Sequence, residues 1–190
     1  MQRSTTGARN DRGRRRSRQG TSGHHKAPTA GDTQLILRHW RDAVPDDRMA
    51  HLIKDATRAL VRALQLRLAP RDVSFGHWAF LRILWETDGL TQRELSREAG
   101  VMEPTTFAAL RAMERRGYIQ RRRLPGDRRK VHIFLTTKGR ALKKRLVPLA
   151  EEVNRVALHG VRSADTIVLR RTLLAIIANL AADETHFAER

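Results

Sequence analysis

From Asp32 onward, most apolar residues recur every three or four positions, the spacing of helices that bury one face. Leu35, Ile36, Leu37 and Trp40 predict a short helix over Thr33–Val44, stopped by Pro45. Leu52, Ala56, Leu60 and Leu64 then step by four, broadened by Ile53 and Ala63, and predict a helix over Arg48–Leu68 that Pro70 closes. Ser74–Thr87 is dense in large apolar groups (Phe75, Trp78, Phe80, Leu81, Leu84, Trp85) and reads as the central core helix. Late in the chain, Leu142, Leu146, Leu149, Val153 and Val156 mark a long helix from Thr136 or Thr137 to about His159. A final helix from Ser163 carries Leu169, Leu173, Ile176 and Leu180 at the same spacing, which suits packing against another helix.

Between these helices the pattern tightens. Thr91-x-x-Glu94 fits a capping box that starts a helix running to Ala99, and Gly100 supplies the turn. A second short helix starts near Glu103-Pro104 and ends at Arg116-Gly117. At 100° per residue, Met102, Thr106, Ala109, Leu110 and Met113 share one face and are expected to pack inward. The opposite face shows Pro104, Ala108, Arg111, Ala112 and Arg115, flanked by Thr105 and Phe107. Next, Val131, Ile133 and Leu135 alternate with Lys130, His132 and Phe134, the period of a half-buried strand. With Tyr118–Arg123 and the Leu124-Pro125-Gly126-Asp127 turn region, they form a basic β-hairpin. Two short helices across a tight turn, followed by such a hairpin, describe a winged helix-turn-helix, with the second helix set to enter a DNA groove. Arg128, Arg129 and Lys130 at the hairpin tip suit a narrow minor groove, whose negative potential attracts guanidinium groups.

The expected fold is therefore mostly α with a small β-hairpin wing. The expected divisions are a basic tail over 1–31, N-terminal dimerisation helices over 32–70, a DNA-binding unit over 71–140 and C-terminal dimerisation helices over 141–190. Helices at both ends of the chain, outside a compact DNA unit, favour a two-fold interface and hence a homodimer.

Charge sharpens this picture. Lys and Arg total 38 against 20 acids, a formal net charge of +18, which favours a polyanionic partner. Residues 1–31 hold eight Lys or Arg against one acid and almost nothing apolar, so this tail is expected to be disordered. It reads either as an arm that adds phosphate contacts or as a solvated tail. No apolar run approaches the roughly 18 residues of a membrane span. The absence of cysteine excludes disulfides and thiolate chemistry. The histidines show no paired helical spacing, so neither metal nor cofactor is expected. No phosphate-cradling glycine loop and no acid cluster for two-metal chemistry is present, so an enzyme is not expected.

With these pieces in view, the chain resembles the MarR family of bacterial transcription regulators over about Arg48–Leu180. LTQRELSREAGV, MERRGYIQRR, PGDRRKVHIFLTTKGRAL and the leucine-rich last helix carry the resemblance. It implies a cytoplasmic, nucleoid-associated homodimer that binds a pseudo-palindromic operator in double-stranded DNA and represses transcription. It also implies that Asp127 orders the wing while Arg129 enters the minor groove. Release by a small aromatic carboxylate or phenolic effector is implied too, in a cleft among the first long helix, the core helix and the DNA lobe. Mapped onto that cleft, the polar candidates are His51, Arg58, His77 and Arg82, with Trp78 and Trp85 as aromatic walls. One departure stands out: Phe107-Ala108 occupies the place of the family's frequent Thr-Arg pair, replacing hydrogen-bonding groups with surfaces suited to thymine methyls. The alternative to a specific regulator is an architectural DNA binder that relies on charge alone.

Overall fold

A computed structural model describes residues 32–41, 49–125 and 127–188, without the side chains of 32, 127 and 128. The tail over 1–31, the extension of the first helix to Val44 and the Arg48 start of the second lie outside the described residues. The elements run α1 (Asp32–Arg41), α2 (Met49–Leu68), a 3₁₀ turn (Ala69–Arg71), α3 (Phe75–Glu86), α4 (Gln92–Ala99), α5 (Glu103–Arg115), β1 (Ile119–Leu124), β2 (Asp127–Leu135), α6 (Thr137–Ala157) and α7 (Ser163–Ala188).

Local chemistry sets these boundaries. Ser74 accepts from the His77 amide at 3.1 Å and starts α3. Thr136 does the same for α6 through the Gly139 amide at 3.0 Å. Such caps satisfy amide donors that the first turn of a helix leaves without partners. Asp72 follows the 3₁₀ turn with φ 57°, a left-handed conformation that aspartate tolerates better than most residues. Its carboxylate receives Arg116 Nε at 3.0 Å and a second Arg116 nitrogen at 3.2 Å, tying the chain before α3 to the end of α5.

The core sits around α3, whose Phe80, Leu81 and Leu84 are almost fully buried. Leu68 of α2, Leu95 of α4, Leu110 and Met113 of α5, Ile133 and Leu135 of β2 and Leu146 of α6 complete it. Trp78 is buried, stacked edge-to-face on Trp85 at 5.6 Å between ring centroids. Trp85 Nε1 donates to the Gly139 carbonyl at 3.0 Å. Gly139 is itself buried where α6 crosses the base of the hairpin, and a Cβ there would overlap the Tyr118 carbonyl oxygen.

β1 and β2 pair antiparallel, with Ile119 opposite Leu135 and Arg121 opposite Ile133. The register shifts between Arg122 and Leu124, near the tip. The loop before α4 bridges onto β2, with Ile133 N donating to Leu90 O at 2.8 Å and Gly89 N donating to Ile133 O at 3.0 Å. Of the alternating strand residues, Ile133 and Leu135 are buried but Val131 is 37% exposed. The hairpin runs past the edge of the core at that point, so period-2 patterning continues where there is nothing left to pack on.

The chain ends contrast with this core. Of the expected α2 stripe only Leu64 is buried, while Leu52 and Leu60 are 41% and 40% exposed. These two residues face α7 across an apolar groove of about 610 Å³, lined also by Ile53, Val168, Leu173 and Ile176. No residue of α7 is buried, and Leu169, Ile177, Leu180 and Phe187 all stand largely in the open. α1 is held to α2 by Trp40 Nε1, which donates to the Asp55 carboxylate at 3.1 Å and helps hold that carboxyl below its ordinary range.

Candidate DNA-binding surface

α4 is fixed at both ends by side chain-to-backbone bonds. Thr91 and Glu94 close a reciprocal capping box: Thr91 N donates to Glu94 Oε2 at 2.7 Å and Glu94 N to Thr91 Oγ1 at 3.3 Å. The Thr91 amide, and its hydroxyl at 2.8 Å, both donate to the Glu94 carboxylate and lower that carboxyl below its usual value. At the other end Gly100 takes φ 61°. Beside that turn, Ser96 Oγ donates to the Val101 carbonyl, and the fully buried Thr106 hydroxyl lies 3.2 Å from Ser96 Oγ. The turn angle between the two helices is thereby pinned from inside.

Pinned this way, α5 buries Thr106, Leu110 and Met113. Pro104, Thr105, Phe107, Ala108, Arg111 and Arg115 are all exposed on its remaining surface. Met102 departs from the expected inward face, for it is 76% exposed. It occupies the N-cap with extended torsions, φ −59° and ψ 141°, so the helical wheel does not extend to it.

Phe107 is the centre of a small cluster. The Arg111 guanidinium stands over its ring at 5.7 Å and that of Arg121, from β1, at 5.5 Å. Arg121 Nε also lies 3.2 Å from the Glu114 carboxylate. Sequence patterning did not single out Arg121; its signal was only a place in the Arg121-Arg122-Arg123 run. Arg93 and Arg97, likewise unforeseen, flank a hollow of about 600 Å³ beside the N-terminus of α5. One helical turn apart on α4, they add positive charge where that helix end already favours anions.

The wing stands beside this face. Arg122, Arg123, Arg129 and Lys130 are exposed along it, and Arg122 covers the Phe134 ring at 5.6 Å. Asp127 and Arg128 belong to β2, and their side chains, with the expected ordering role of Asp127, lie outside the described residues. The wing base is held by Asp88, a residue the sequence reading passed over. It accepts from Leu135 N at 2.8 Å and from Arg140 at 2.6 Å.

Residues 73–131 match the model of the MarR family. The chain is 31% identical over 141 residues to the HTH-type transcriptional regulator TtmR of Methylorubrum extorquens, covering 74% of this chain and 69% of that one. The chain belongs to the MarR family. Like its relatives it is a DNA-binding transcriptional regulator and not an enzyme. The fold agrees with that of a MarR-family regulator from Listeria monocytogenes, solved with a 26mer DNA, at TM-score 0.65 and 23% identity over 72% of this chain and 91% of that one. It agrees too with BpsR of Bordetella bronchiseptica, whose structure addresses regulation of DNA binding by 6-hydroxynicotinic acid. That match has TM-score 0.63 and 22% identity over 68% of this chain and 98% of that one.

Neither the four polar effector candidates nor the two tryptophans line the α2–α7 groove. His51 and Arg58 are exposed on α2, where Arg58 pairs with Asp55 at 3.3 Å. On α3, Arg82 is exposed whereas His77 and Trp78 are buried in the DNA lobe. Burial, with Arg116 nearby, pushes the His77 imidazole below its ordinary value, only partly offset by Asp72. A histidine held neutral in this way is a poor counter-ion for a carboxylate, so His77 drops out, while Arg58 and Arg82 are the permanently charged candidates. Among the described residues no group of three or more His, Asp or Glu is placed to hold a metal. No described helix is long and apolar enough to cross a membrane.

Proposed function

We propose that this regulator binds a pseudo-palindromic operator as a homodimer, one α5 in each major-groove half-site and one wing in each flanking minor groove. The observation that carries the reading is the outward face of α5: small and apolar residues interleaved with Arg111 and Arg115, beside a wing that exposes Arg129 and Lys130. Such a face approaches bases closely, while the wing supplies charge to phosphates and to the narrow groove. Dimerisation is supported by α7, which buries none of its residues, and by the open apolar side of α2. In this reading α1, α2, α6 and α7 form the dimerisation part, the segment between them reads DNA, and the protein works inside the bacterial cell, on the nucleoid.

The same reading includes repression, relieved when a small aromatic carboxylate or phenol binds between the dimer helices and the DNA lobe. BpsR, with its hydroxynicotinic acid, supports that ligand class. Arg58 or Arg82 would pair with the carboxylate there. The net charge of +18 favours one competing reading, an architectural binder indifferent to sequence.

The test is binding of the full chain to its own upstream DNA at near-physiological salt against excess random duplex, with and without a panel of aromatic carboxylates. Binding that resists competition and is released by one compound is the expected result. Specific binding that no compound disturbs would remove the effector. Binding erased by random DNA would move the protein to the architectural class.

A further inference from the structure

The Phe107 cluster carries an inference that rests on the operator-binding reading and deepens it. Phe107 is a phenyl ring left 43% exposed on a face otherwise made of small or cationic groups. A ring so open contributes little to the core, yet it is not loose. Two guanidinium groups stand over it at 5.5 and 5.7 Å, and one of them is anchored in turn to Glu114. The ring is therefore held in a set orientation on the outward side of α5, with Arg111 one turn further along the helix.

An oriented apolar surface beside an arginine is complementary to a particular pattern in the major groove. Thymine alone among the four bases presents a methyl group there, and guanine presents the paired acceptors O6 and N7 that suit arginine. We infer that Phe107 is a specificity-determining residue that reads the 5-methyl group of a thymine in each half-site, with Arg111 donating to an acceptor on a neighbouring base. Arg121 and Glu114 position the ring and bridge the recognition helix to the wing, so the two DNA-contacting elements share one cluster.

The experiment uses the full chain and a consensus selected from a randomised duplex library. Each thymine is replaced singly by uracil, which keeps the base pair and removes only the methyl. At one thymine per half-site the affinity is expected to fall about fourfold, the worth of one buried methyl group. Phe107→Ala is expected to bind the thymine and uracil duplexes equally. Arg129→Ala, which touches the wing alone, is expected to bind both more weakly while keeping the ratio. A consensus whose affinity is indifferent to every uracil would overturn the inference and leave operator binding intact. Discrimination that survives in Phe107→Ala would overturn it as well. Failure to select any consensus would overturn the operator reading, and this inference with it.

Discussion

Among the described glycines, Gly139 has the least room for a side chain. It lies where α6 meets the hairpin, and a methyl group there would collide with the Tyr118 backbone rather than with a flexible side chain. Gly139→Ala is expected to lower stability by about 2–3 kcal/mol, the upper range for overpacking, read as a lower urea midpoint at unchanged slope. His77 governs a pH dependence instead. It is buried against Tyr118, with Asp72 and Arg116 nearby, and its folded pKa lies below the unfolded one. Protonation therefore favours the unfolded chain. Stability from this site is complete above about pH 6.5 and is lost as pH falls toward the depressed folded value. Melting temperature between about pH 7 and pH 5 is expected to fall more in the wild type than in His77→Phe. A parallel fall in both would assign the acid sensitivity elsewhere. Some residue roles were legible in advance: the Thr91–Glu94 box and the Gly100 turn are local, and a few neighbouring letters encode them. Asp72 with Arg116, and Asp88 with Arg140, were not legible, because their partners lie 44 and 52 positions away and no periodicity links them.

At the scale of elements, the boundaries of α3 to α6 and the hairpin could be read from spacing, since caps, prolines and period changes are written locally. Spacing could not say what covers a face. Leu52 and Leu60 keep helical rhythm with Leu64 yet lie outside the core, and Val131 keeps strand rhythm beyond its edge. The interleaved face of α5 was legible for a converse reason, since a helix of about three and a half turns wedged on one side leaves the other side's composition in plain view. Its partner in Arg121 was hidden, because a strand arginine in a basic run looks like any solvated charge. The wing makes its own prediction. Arg129→Ala is expected to weaken operator binding on the order of tenfold and to lower the magnitude of the salt slope by about 2, one contact for each wing of the dimer. Titration by fluorescence anisotropy over a salt series checks both quantities. An unchanged affinity would remove the wing from DNA recognition.

For the whole molecule, the question is what the open apolar surface of α2 and α7 is for. A single chain leaves Ile177 63% and Leu180 58% exposed on a helix with no buried residue, an apolar face of the kind that marks an interaction site when contiguous. A second copy would cover it and would fix the separation of the two recognition helices. In the proposed dimer, a charge placed on this face would be costly to bury without a partner. Ile177→Asp is thus expected to sediment as a monomer and to bind operator at least about 100-fold more weakly, since linked half-sites no longer cooperate. A dimer undisturbed by this change would place the interface elsewhere. The central claim, two copies reading two half-sites, is tested most directly by hydroxyl-radical footprinting of the wild-type protein on its selected operator. The account predicts two equivalent protected half-sites related by two-fold symmetry, with major-groove centres about one helical turn or a multiple of it apart. Uniform protection that lengthens with protein concentration, with no symmetry and no fixed centre, would contradict it.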